Sequence, residues 1–172
     1  MRIAICGAHA TGKSTLISEL MQQLPDYTTL EEPYHLLSDE GHMFGAFPTV
    51  DDFQLLCESA NSMMRTTDAR DVIFDRSAAD YLAYLLILDA EADWRQEVSD
   101  TLDALATLDL VVLVGVEDPD FIDGVERPKL RRRVDRKLRE ILASDEWGLS
   151  VPVIRVRGTP AKRAQQVLRA MK

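Results

Sequence analysis

Apolar positions along the chain alternate between short unbroken runs and stripes at helical spacing. Residues 2–6 (Arg-Ile-Ala-Ile-Cys) form an apolar run ending at Gly7, the pattern of a buried strand meeting a turn. From residue 13, Leu16, Leu20 and Leu24 keep helical spacing until Pro25 stops them. Residues 27–31 predict a second strand closed by Pro33, and residues 51–67 a helix carrying Phe53, Leu56, Ala60 and Met63 or Met64 on one face. Residues 71–75 predict a third strand and residues 77–90 a helix with Ser77 as its cap. Trp94, Val98, Leu102 and Leu105 form another amphipathic stripe. The Val/Leu run over residues 108–116 predicts a fourth strand, covered on both faces. Leu130, Val134, Leu138 and Ile141 mark a further helix, followed by a strand over 151–156 and a last helix over 160–171 that opens on Pro160.

Strands alternating with helices imply an α/β fold, a parallel sheet with right-handed crossovers and ligands at the carboxyl ends of its strands. The least regular stretch, residues 34–50 with Gly41, Gly45 and Pro48, reads as a long loop, and long loops in compact domains carry function. A length of 172 residues, 46 % apolar and 28 % charged, fits one domain over 1–172 and excludes global disorder. Cys6 and Cys57 are too few for a disulfide framework or a four-ligand zinc site and read as reduced thiols. The longest apolar run, residues 81–88, is too short to span a membrane, and strand-like sequence from Arg2 leaves no room for a leader. The expectation is a soluble cytoplasmic protein with no membrane partner, a homodimer being left open.

A net charge of −9 argues against broad nucleic-acid binding. The charge is uneven: residues 126–140 hold eight basic and three acidic side chains, a local +5 that leaves −14 on the remainder. On a helical projection, Arg132, Arg133, Arg136, Lys137 and Arg139 fall away from the apolar stripe and read as a solvated face. Arg131 falls inside the stripe and Arg127 near its line at the helix start. An inward arginine needs an anionic partner, for which a triphosphate is the candidate. The alternative is a surface helix of Glu–Arg pairs.

Gly7-Ala8-His9-Ala10-Thr11-Gly12-Lys13-Ser14 matches the P-loop pattern G-x-x-x-x-G-K-[S/T], between a predicted strand and a predicted helix. The glycines let backbone N–H groups wrap a phosphate, and the helix adds its positive end. The nucleotide cradle therefore runs from Gly7 through Thr15, with Lys13 reaching the β- and γ-phosphates and the Ser14 hydroxyl ligating Mg²⁺. The chain has no guanine-reading Asn-Lys-x-Asp or Thr-Lys-x-Asp and no Leu-Ser-Gly-Gly-Gln. What remains suits phosphoryl transfer to a small acceptor.

Glu32 (or Glu31) falls at the carboxyl end of the second strand, beside the P-loop, where a carboxylate would accept the proton of an attacking hydroxyl. The plain alternative is an exposed acid that ends the strand. Asp75 ends the third strand, suited to hold magnesium through water, and Arg76 follows, suited to neutralise charge on a transferred phosphoryl; a local ion pair at a helix start is the alternative. Tyr34, Phe44, Phe47 and Phe53 gather around the irregular stretch, either to stack on an acceptor's base or to pack beneath a loop. His9 reads as a tolerated variable residue, and Cys6 as core.

The P-loop, Glu32-Pro33, Asp75-Arg76-Ser77 and the late arginine-rich stretch resemble the P-loop nucleoside and nucleotide kinases. Deoxynucleoside kinases carry Glu-Pro and Glu-Arg-Ser at those places, and thymidylate kinases an Asp-Arg pair. Residues 75–84, with Asp123-Gly124 and the arginines beyond, are also similar to ribosylnicotinamide-kinase-like ATPases. The triple glycine and Asp-x-Asp of shikimate kinases are missing. The resemblance implies a three-layer fold with sheet order 2-3-1-4-5, Glu32 as base, Arg76 at the phosphates, a lid near 118–143 that uses Arg127 and Arg131, and backbone contact to adenine at Gly158-Thr159-Pro160. The expected function is an ATP- and Mg²⁺-dependent kinase acting on a nucleoside- or nucleotide-like hydroxyl. A polynucleotide 5′-end kinase and a nucleotide-dependent regulator of a protein partner are the alternatives.

Overall fold

The computed structural model describes residues 1–118, 120, 122 and 124–172. Among them run β1 (Arg2–Cys6), α1 (Lys13–Met21), β2 (Thr28–Leu30), α2 (Pro33–Asp39), α3 (Val50–Thr66), β3 (Val72–Asp75) and α4 (Ala78–Leu88). They continue with α5 (Arg95–Leu105), β4 (Leu110–Val114), α6 (Pro128–Ala143), a 3-10 turn at Asp145–Trp147, β5 (Val153–Val156) and α7 (Pro160–Ala170). The strands pair in parallel in the order β2-β3-β1-β4-β5, as the resemblance implied.

The period-2 alternation of the strands splits the core into two apolar layers. Ala4, Cys6, Phe74, Val111 and Leu113 face the side covered by α3, α4, α5 and α6. Ile3, Ile5, Ile73, Val112 and Val114 face α1 and α7. Each fully buried Ile, Val or Leu contributes about 1.5–3 kcal/mol of transfer free energy, and most of these are completely buried. Among the described residues, no helix is long and apolar enough to cross a membrane. Both cysteines are free and buried.

The stretch expected to be an irregular loop over 34–50 opens with a helix. Pro33 does close β2, but it also occupies the first helical position of α2, where its fixed φ and missing N–H cost nothing. Glu32, the N-cap residue of α2, thereby sits on a sharp strand-to-helix corner. The α1 helix ends before its expected limit at residue 24, the chain turning through backbone bonds from Gln23 and Leu24 to the Leu20 carbonyl. At the start of α3, Thr49 and Asp52 form a capping box.

Candidate active site

Between β1 and α1 the P-loop takes a conformation that only its own residues permit. Gly7 has φ 157°, and a Cβ there would lie 2.3 Å from the Val114 carbonyl oxygen. Gly12, the left-handed N-cap of α1, has φ 85°, with Arg163 Nη1 3.1 Å from where its Cβ would be. Asp80, fully buried at the start of α4, fastens the loop by accepting the Gly7 N–H at 2.8 Å while it accepts the Ser77 N–H at 2.9 Å.

The carbonyls of residues 7–11 are each held by a cation. Arg76 Nη1 donates to the Gly7 oxygen at 3.0 Å, and Lys13 Nζ to that of Ala8 at 2.9 Å. Arg131 donates from Nε to His9 at 3.0 Å and from Nη2 to Ala10 at 2.6 Å. Arg163 Nη1 donates to Thr11 at 2.7 Å. Five successive carbonyls are thus satisfied by four cations, a positive frame around a turn suited to a polyphosphate. Buried cations need anionic partners: Arg131 pairs with Asp120, and Arg163 with Glu117 at 2.8 Å.

Arg76 directly follows β3 in a left-handed conformation, φ 76°, which a non-glycine residue adopts at a cost of about 1–3 kcal/mol. That turn directs its guanidinium back over the sheet edge to Glu32, with Nε 2.5 Å from Oε1. Tyr81 donates its hydroxyl to the same oxygen at 3.2 Å. Burial acts to raise the Glu32 pKa, but Arg76 and Lys13 outweigh it and hold the carboxyl below its ordinary value. Burial, assisted by Arg76, lowers Lys13 to about 8.

Asp75 ends β3 with its Oδ1 buried and without a hydrogen-bond partner, and burial raises its pKa. An orphaned carboxylate oxygen at this position, with Ser14 exposed at the cradle mouth, fits an Mg²⁺ held jointly by the Ser14 hydroxyl, a nucleotide's phosphates and water. Among the described residues no group of three or more His, Cys, Asp or Glu would hold a metal without such a ligand.

Two clefts meet here. The cradle, lined by residues 9–15 of the loop with Glu32, Arg76 and Ile122, measures about 340 Å³. The second, of about 210 Å³, is walled by Tyr34, Phe47, Phe53, Tyr81 and Tyr84. His9, Glu32 and Arg76 line both. The aromatic residues pack on one another, Phe53 on Tyr84 at 4.4 Å and Phe44 on Tyr34 at 4.2 Å, and Tyr34, Phe47 and Phe53 also wall the cleft. Arg127 lies over the Phe47 ring at 4.2 Å, on the rim of the aromatic cleft. Gly158, Thr159 and Pro160 line a third cleft with Thr11, Gly12 and Thr15. Asp123 is outside the described residues; Gly124 is exposed.

Sequence reasoning missed Asp80, Tyr81, Glu117, Asp120 and Arg163. His9 also does more than tolerate its place. Its Nε2 lies 2.9 Å from the Glu126 carbonyl, which only accepts, so Nε2 carries the proton. Burial lowers its pKa, and the neutral ring accepts the Tyr84 hydroxyl at Nδ1, 2.8 Å away. Not all of the supposed solvated face is free: Arg133 bonds the Ile87 carbonyl, Lys137 pairs with Glu140 and Arg139 with Asp135.

Residues 2–163 match the AAA domain family, and the chain belongs to that family. No curated protein matches it. Among solved structures it resembles an NadR protein in complex with NAD and AMP-PNP, with TM-score 0.70 and 17 % identity over 98 % of this chain and 48 % of that one. It also resembles thymidylate kinase from Ehrlichia chaffeensis, with TM-score 0.68 and 14 % identity over 99 % of this chain and 97 % of the other. Deoxyadenosine kinase from M. mycoides with bound dATP gives TM-score 0.66 and 13 % identity over 99 % of each chain. The fold is that of the P-loop kinases.

Proposed function

We propose that this protein is an ATP- and Mg²⁺-dependent kinase that transfers the γ-phosphoryl group to a hydroxyl of a nucleoside- or nucleotide-like acceptor. The observation that carries the reading is the shared wall of Glu32 and Arg76 between the cradle and the aromatic cleft. A triphosphate in the cradle would end where the acceptor cleft begins, so donor and acceptor would meet across one carboxylate and one guanidinium.

The loop N–H groups and Lys13 bind and orient the phosphates, while Arg76 faces charge developing on the transferred group. Glu32, ionised at neutral pH, accepts the acceptor's hydroxyl proton and aligns its oxygen with the phosphoryl group. Phe47, Phe53 and Tyr84 supply flat apolar surface for a base or pyridine ring. Arg127, on the rim of the aromatic cleft, excludes water from the transfer, while Arg131 keeps the loop in shape from α6, a core helix rather than the lid expected over 118–143. An Mg²⁺ held by the Ser14 hydroxyl and, through water, by Asp75 would neutralise phosphate charge.

The test incubates the protein with Mg-ATP and a panel of nucleosides, nucleotides and pyridine ribosides, with mass spectrometry of the products. One acceptor class gaining a phosphate is expected. ATP loss without a phosphorylated small product across the panel contradicts the kinase reading.

A further inference from the structure

Between α6 and the sheet's edge strand β5 lies a further cleft of about 450 Å³, which shares Glu117 with the cleft of Gly158, Thr159 and Pro160. Among the described residues five arginines line it: Arg132, Arg136 and Arg139 from α6, with Arg155 and Arg157 from β5 and the residue beyond it. The spacing 132, 136, 139 is one stripe of a helix, and 155, 157 is one face of an extended chain. Two elements distant in sequence therefore turn matching cationic rows toward each other, which a merely solvated helix face does not require.

The carboxylates around the cleft do not cancel this charge. Asp135 accepts the Val116 N–H at 2.8 Å and pairs with Arg139; Glu117 is engaged by Arg163 and the Gly158 N–H. Asp118 is left at the rim. Among the described residues, the guanidinium groups of Arg132, Arg136, Arg155 and Arg157 have no ion pair, and Arg139 Nε is buried without a partner. Burial, and then the neighbouring arginines, push Arg139 below the usual guanidinium range; burial and Arg157 do the same to Arg155. The five guanidinium groups outnumber the three carboxylates of the cleft, Glu117, Asp118 and Asp135, and repel one another.

We propose that this cleft is a second anion site that takes a phosphorylated small molecule. Facing guanidinium forks suit the paired oxygens of a phosphate, and the volume is that of a small-ligand pocket, commonly about 300–1,000 Å³. A chain with net charge −9 outweighs one basic cleft against an extended polyanion. The site does not depend on the kinase reading. It reaches the cradle through α6, because Arg131 on the same helix holds the His9 and Ala10 carbonyls. A phosphate bridging α6 and β5 fixes the helix that fixes the loop.

The probe is pyrophosphate without magnesium, titrated calorimetrically into Lys13→Ala protein to weaken the cradle. One saturable site is expected. R132Q/R136Q and R155Q/R157Q, pairs on separate elements, each weaken it about tenfold or more. In the background that retains Lys13, both pairs keep the wild-type circular dichroism spectrum and Mg-ATP affinity. Pyrophosphate binding that is absent, or unchanged in both double variants, overturns the proposal. So does an RNA oligomer without terminal phosphates that displaces pyrophosphate at lower concentration, which makes the cleft a nucleic-acid surface.

Discussion

Arg76 and Glu32 face each other across the carboxyl edge of the sheet, Nε 2.5 Å from Oε1, although 44 residues separate them in the chain. The pair exists because Arg76 accepts a left-handed backbone and Glu32 sits on the corner made by Pro33. In Glu32→Gln the amide oxygen can still accept from Arg76, so fold and Mg-ATP affinity stay near wild type. Turnover falls by about 10²–10⁴-fold, the range for a lost general base. Steady-state kinetics with the identified acceptor, beside a nucleotide titration, check this; unchanged turnover removes Glu32 from the chemistry.

Asp75 carries an opposite effect on stability and binding. Its native pKa is raised by burial, so the folded state prefers the protonated carboxyl and is penalised once pH exceeds the ordinary aspartate range. Asp75→Asn therefore melts higher than wild type at neutral pH in the absence of nucleotide. The gain disappears in acid, where both states are protonated. The magnesium-dependent part of ATP affinity falls in the same variant. Paired melting curves across pH and titrations with and without Mg²⁺ measure both.

Lys13 titrates near 8 because burial, and then Arg76, oppose its charge. A polyphosphate favours the protonated ammonium, so nucleotide binding takes up a proton above that pH. ATP affinity declines as pH rises through about 8, approaching at most about tenfold per pH unit. Lys13→Arg binds without this decline, and Lys13→Ala loses most of the affinity. Calorimetry in buffers of different ionisation enthalpy counts the proton directly.

Arg163 is joined to the P-loop at Thr11 and to Glu117. Arg163→Ala leaves a buried carbonyl without its donor and a carboxylate without its cation, at a cost of about 1–3 kcal/mol. Urea denaturation reads that cost. Nucleotide affinity falls with it, since the loop's N–H groups are aimed by what holds its carbonyls; full affinity in a destabilised variant contradicts the frame argument.

Periodicity and punctuation made the strands, the sheet edge and the P-loop legible, because each is written in consecutive residues. The inward place of Arg131 was legible too, as a cation inside an apolar stripe, but its partners were not: in place of the triphosphate expected for it stand Asp120 and the His9 and Ala10 carbonyls. The frame around the loop was not: Arg163 lies 152 positions from the carbonyl it holds, on a helix whose sequence marks it only as one more surface cation. Asp80 reads as an ordinary helix-start acid until the fold brings Gly7 to it. α2 was hidden because Pro33 serves equally as a strand stop and a helix start. The basic cleft needed β5 to be placed beside α6, which no local pattern states.

The most direct measurement is calorimetric titration of the protein with ATP, with and without Mg²⁺, in wild type and Lys13→Ala. One magnesium-strengthened site per chain, lost with Lys13, is the predicted result, and any binding that survives Lys13→Ala is independent of magnesium and belongs to the α6–β5 cleft. Heat-silent mixing with every nucleoside triphosphate, or magnesium-strengthened binding that Lys13→Ala leaves intact, contradicts the assignment of residues 7–15 as a polyphosphate cradle.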